Sequence, residues 1–219
     1  PAALTDPAGS GGTVNMVSGS ASVASPLDFL ERTALDAQVS SDQIRSVAKR
    51  GKNQAPYPAN RLANDFKLIA RLIAGGMATR VYFVRQGGYD THSDQKKRHD
   101  ELLGELNDAV FAFQKDLAQQ GLDERVLTFT FSEFSRNVKE NGSRGTDHGH
   151  AGAMFVFGTK LKPGMRGAYP SLEDIYDVRN GALKHNMDFR AVYATSLKKW
   201  LGISSESFLG QQPEIDFIA

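Results

Sequence analysis

Apolar residues recur along the chain with a helical period first and an alternating period later. Leu27, Phe29, Leu30, Ala34, Leu35, Ala37 and Val39 give an approximate apolar face that predicts helix over residues 27–52. Within that stretch, Ser40-Ser41-Asp42-Gln43 offers N-cap chemistry for a second helix running through Val47. The two prolines of Asn53–Asn60 disfavour both helix and ladder, which predicts a loop. From Arg61, the positions Leu62, Phe66, Ile69, Leu72 and Ile73 return to helical spacing, stopped by Gly75-Gly76. Val81–Gln86 then reads as a strand. It is followed by a long helix with His99, Leu102, Leu103, Leu106, Ala109, Val110, Phe113 and Leu117 on one stripe, closed by Gly121. Val126–Phe131 and Met154–Phe157 read as the second and third strands. A last helix starts at the N-cap Asp188 and carries Phe189, Val192, Tyr193, Leu197, Trp200 and Leu201 up to Gly202. Strand, helix, strand at these lengths predicts an α/β fold with a largely parallel sheet flanked by helices.

Composition narrows the partners. Residues 1–26 are rich in Gly, Ser, Ala and Pro, with few large apolar groups, and are expected to form a flexible arm ahead of a folded part over 27–219. A net charge of +1 supplies no field for nucleic acid. No apolar run approaches the roughly 18 residues of a membrane span. The lack of cysteine excludes a disulfide framework and any thiolate metal site. A first residue of Pro rather than Met, with no signal-peptide pattern, leads to the expectation of a processed product or a fragment.

Two glycine-framed clusters carry the candidate chemistry. Gly87-Gly88-Tyr89-Asp90-Thr91-His92 follows the first strand, and Gly145-Thr146-Asp147-His148-Gly149-His150 precedes the third. Glu133 lies just beyond the second strand. Ligands collect at the carboxyl ends of strands in open parallel sheets. Asp90, His92, Glu133, Asp147, His148 and His150 are therefore expected to share one divalent-metal site, imidazoles with carboxylates being the donor set for zinc, manganese or iron. Blander readings stand beside this one. His-x-His alone fits an unliganded surface loop, Asp90-Thr91-His92 fits an Asx-turn with Ser93 or Asp94 capping the next helix, and Glu133 fits a simple pair with Arg136. His99 reads as a helix-face residue, His185 as solvent-facing and Asp188 as a cap. Arg136, Lys139 and Arg144 are placed to clamp an anion, or to form a solvated charged loop. Of the hydroxyls near the ligands, Thr91 and Ser132 are the candidate nucleophiles, although neither lies in an activating context such as Gly-x-Ser-x-Gly.

Three blocks, GGYDTHSDQ, VLTFTFSEFSRNVKENGSRGTDHGHAGAMFVFG and MDFRAVYATSLKKWLG, resemble the carboxyl-terminal half of the domain-of-unknown-function 1501 family. That family is similar to the alkaline phosphatase and sulfatase superfamily and often carries a twin-arginine export signal. The resemblance implies an alkaline-phosphatase-like fold and hydrolysis of a small anionic phosphate or sulfate ester. Its cofactor would be a divalent metal, zinc first, with manganese, iron or calcium as other ions. It also implies a periplasmic or extracellular location. Asp90 and His92 would bind one metal, Glu133 would stand for a second-metal acid, and Asp147, His148 and His150 would supply the imidazole side. Arg136 or Arg144 would hold the anion. Residues 1–26 contain neither the family's Gly-Gly-x-Asp-Gly strand end nor its Ser-His-Phe segment. The resemblance therefore implies an incomplete domain, finished by an amino-terminal half or a second chain. The competing expectation is a non-catalytic exported protein that binds metal or serves as a structural or interaction module.

Overall fold

The computed structural model describes residues 25–177 and 181–219; most of the expected arm, residues 1–24, lies outside them. The chain divides into a unit that ends at Gln43 and a unit spanning Ile44–Ala219. Helix α1, Pro26–Arg50, is one uninterrupted helix rather than two. Neither Gly nor Pro interrupts Ser40–Gln43, so the backbone ladder continues through it. In the first unit a reciprocal box closes the start of α1. Ser25 N donates to Asp28 Oδ2 at 3.0 Å, and Asp28 N donates to Ser25 Oγ at 3.1 Å. Leu27, Phe29, Leu30, Leu35 and Val39 are exposed on it.

In the second unit, α2 (Arg61–Ala74) and α3 (Gln95–Gln119) form the main core. Asn60 caps α2, accepting from Ala63 N at 2.8 Å. Leu62, Ala63, Phe66 and Ala70 pack against Ala109, Val110, Phe113 and Leu117, with the Phe66 and Phe113 rings 4.8 Å apart. Beneath this interface lies Asp116, fully buried. Its carboxylate accepts from Asn53 Nδ2, Gln54 N, Ala55 N, Tyr57 Oη and Gln120 Nε2, which ties the 53–57 loop to α3.

The ladders of the described residues are three two-stranded antiparallel pairs. β1 (Thr128–Phe129) pairs with β4 (Val156–Phe157), β2 (Ser135–Arg136) with β3 (His148–Gly149), and β5 (Ile175–Asp177) with β6 (Ala182–Leu183). No parallel ladder occurs among them. Residues 81–86 alternate between exposed and half-buried as a strand would, with Val81 71% and Phe83 70% exposed, but they join no ladder among the described residues. The last predicted helix is α4 (Phe189–Thr195), continued by a π-helical turn over Ser196–Trp200 and followed by the short α5 (Glu206–Leu209). Asp188 caps α4, accepting from Arg190 N at 2.9 Å. Ala191 and Val192 of α4 pack on Ile215, Phe217 and Ile218 as a second core. No described helix is long and apolar enough to cross a membrane.

Candidate metal centre

The two glycine-framed loops do meet. A Cβ on Gly145 would lie 2.2 Å from the His92 carbonyl carbon, so only a residue without a side chain permits this approach. Asn141 sets the turn, its Oδ1 accepting from Ser143 N and Gly145 N while its Nδ2 donates to His92 O at 3.0 Å. At the start of α3 the side chain of Asp94 makes no capping bond. Instead, Asp94 N and Gln95 N donate to the carbonyls of Ser143 and Arg144. The second loop therefore caps the helix that the first loop leads into.

On this scaffold Asp90, His92 and His148 converge, one ligand atom from each lying within 4.8 Å of the others. Asp90 Oδ1 is the hub. It lies 2.7 Å from His148 Nε2, 3.1 Å from His92 Nε2 and 2.9 Å from Arg136 Nη2. The hydrogen bond from His148, followed by that from Arg136, holds the Asp90 carboxyl below its ordinary range. The site is open: about half of each imidazole and of the Asp90 side chain is exposed.

His92 touches a carboxylate at each ring nitrogen, since its Nδ1 lies 3.2 Å from Asp147 Oδ1. A neutral imidazole carries one N–H and can donate to only one of them. The other nitrogen–oxygen contact needs a second proton or a cation. With the N–H directed to Asp147, Nε2 presents its lone pair toward Asp90, the carboxylate–histidine arrangement of metal sites. This donor set of one carboxylate and two imidazoles fits a divalent ion such as zinc.

The remaining predicted residues have other surroundings. Glu133 is exposed and accepts from Ser132 Oγ at 3.4 Å, outside the three-residue group. His150 sets its ring edge-on to Tyr176 at 5.8 Å. Thr91 is buried, with its hydroxyl 3.0 Å from His99 Nε2. Arg144 is exposed and its Nε donates to Asp94 Oδ1 at 2.8 Å. Arg136 is almost fully buried, donating from Nη1 to Thr146 O at 2.8 Å and from Nη2 to Tyr89 O at 2.5 Å. Sequence reading missed Asn141 and Phe134, whose ring stacks on His148 at 4.0 Å and 3°. Phe134 stands two residues before Arg136, which was the available signal.

No curated protein and no solved structure matches the chain. Residues 23–211 match the family described as "Protein of unknown function (DUF1501)", and the chain belongs to that family.

Proposed function

We propose that this chain supplies the cation site of a metal-dependent hydrolase acting on phosphate or sulfate esters. Asp90, His92 and His148 hold one divalent ion, zinc first, and Asp147 orients His92. A divalent ion there polarises an ester oxygen and lowers the pKa of water. Asp90 and the two imidazoles fix where that ion sits, and the open face leaves room for a small anionic ester. Arg144, exposed on the loop beside Gly145, is the candidate to meet the anion, because Arg136 is committed to two carbonyls and Asp90. One observation carries this reading: His92 lies between two carboxylates, with Nε2 turned toward the oxygen that His148 also faces. The test is hydrolysis of an aryl phosphate and an aryl sulfate by zinc- or manganese-loaded protein, with Asp90→Ala as control. Turnover by the parent and its loss in the variant are expected; equal rates would remove the hydrolase reading.

A second reading, an interaction module, is favoured by Val81–Gln86, which joins no ladder among the described residues and leaves Val81 and Phe83 exposed. Protein purified without chelator that holds no zinc, manganese, iron or calcium would favour it.

A further inference from the structure

Phe134 immediately precedes β2 (Ser135–Arg136), and the Arg136 guanidinium lies over its ring. Arg136 is the register partner of His148 across β2 and β3. The pairing is forced close, because a Cβ on Gly149 would lie 2.6 Å from the Arg136 carbonyl. Four contacts then close a ring. His148 Nε2 meets Asp90 Oδ1 at 2.7 Å, and Asp90 Oδ1 meets Arg136 Nη2 at 2.9 Å. The Arg136 guanidinium carbon lies 4.9 Å from the centre of the Phe134 ring, which stacks on His148 at 4.0 Å. A stacked face fixes the imidazole plane, and the guanidinium fork fixes the carboxylate. The same fork holds Tyr89 O and Thr146 O, so one side chain braces both ligand-bearing loops.

We propose that Phe134 and Arg136 are a positioning pair: they preset His148 and Asp90 for the cation, and Arg136 braces the ligands rather than binding the anionic substrate. This rests on the reading of Asp90, His92 and His148 as a cation site. Outer groups that orient metal ligands typically change affinity by about 10–100-fold when lost.

The experiment measures zinc and manganese affinity by competition with a chelating dye for the parent, Phe134→Leu, Phe134→Tyr and Arg136→Gln. Thermal unfolding of each variant confirms the fold. Phe134→Leu and Arg136→Gln are expected to weaken binding by about 10–100-fold, with Phe134→Tyr, which keeps the ring, within about threefold of the parent. Phe134→Leu is half-buried and supplies the answer if Arg136→Gln does not fold. Unchanged metal affinity in Phe134→Leu overturns the pair. So does an Arg136→Gln protein that binds zinc like the parent yet loses affinity for inorganic phosphate about tenfold, the behaviour of an anion holder. If the parent binds neither ion, the cation site fails, and nitrogen-15 spectra of the metal-free proteins decide the positioning claim separately. A single Nε2–H tautomer of His148 in the parent that becomes mixed in Phe134→Leu upholds the pair; a mixture already present in the parent overturns it.

Discussion

Replacing Asp116 tests whether the 53–57 loop is held to α3 by one buried carboxylate. Its Oδ1 accepts from Gln54 N at 2.6 Å, Gln120 Nε2 at 2.9 Å and Ala55 N at 3.3 Å. Its Oδ2 accepts from Asn53 Nδ2 at 2.7 Å and Tyr57 Oη at 2.9 Å. In Asp116→Ala the half-buried Asn53 and Gln120 amides and the exposed Gln54 can turn to water, but the buried Ala55 N and the Tyr57 hydroxyl, whose pKa is raised first by burial, are stranded. At about 1–3 kcal/mol for each stranded group, the loss is about 4 kcal/mol. Asp116→Asn keeps the shape and one acceptor oxygen, and Tyr57 can rotate to accept, so about 2 kcal/mol is expected. Burial raises the Asp116 pKa, but the hydrogen bonds from Gln54 N, Asn53, Tyr57 and Gln120 together outweigh it and leave the folded value lowered. A folded pKa below the unfolded one gives stability that is present above the unfolded value, about 3.9, and lost as pH falls through the folded value. Urea unfolding should therefore show the full gap between parent and Asp116→Asn at pH 7, narrowing below about pH 4. A gap under about 1 kcal/mol for Asp116→Ala at pH 7, or a parent–Asn gap that widens in acid, would refute the reasoning.

Other outcomes follow from the same geometry. Gly145→Ala forces a Cβ into the His92 backbone; it should cost about 1–3 kcal/mol or more and abolish zinc binding, read by unfolding and by dye competition. Asp188→Ala should cost about 1 kcal/mol at pH 7. The Asp188 carboxyl is held down to about 2, first by the Arg190 side chain and then by its backbone N–H. That stability is present above about pH 4 and lost as pH falls toward 2, so the gap to Asp188→Ala measured by urea unfolding should close over this window. Zinc affinity should weaken in acid, because the ion replaces the proton between His148 Nε2 and Asp90; dye competition that gives the same affinity in acid as at neutral pH would contradict this.

Local signals were legible and non-local ones were not. The spans of α2 and α3 and the cap of α4 could be read because the prolines of 53–60, Gly75, Gly121 and Asp188 punctuate a helical period. The apolar face of α1 was also legible, but periodicity does not report burial, and Leu27, Phe29, Leu30 and Leu35 are exposed. Alternation at residues 81–86 is visible in their exposure, yet ladder partners come from distant chain. The antiparallel pairing of β1 with β4 likewise had no sequence mark. Asp90, His92 and His148 were legible from their glycine frames, since Gly145 and Gly149 let the backbones approach. A position at a strand end does not fix side-chain direction, so sequence could not separate Glu133 and His150 from the three residues whose ligand atoms converge. Asp116 stayed hidden because its donors come from a loop some sixty residues away.

The most direct measurement is anomalous diffraction at the zinc edge from crystals of zinc-loaded protein. A peak is expected about 2.0–2.2 Å from an Asp90 oxygen, a His92 nitrogen and a His148 nitrogen, with Asp147 still on His92 Nδ1. A peak elsewhere, or none with the crystal saturated in zinc, would contradict a cation site at these three residues.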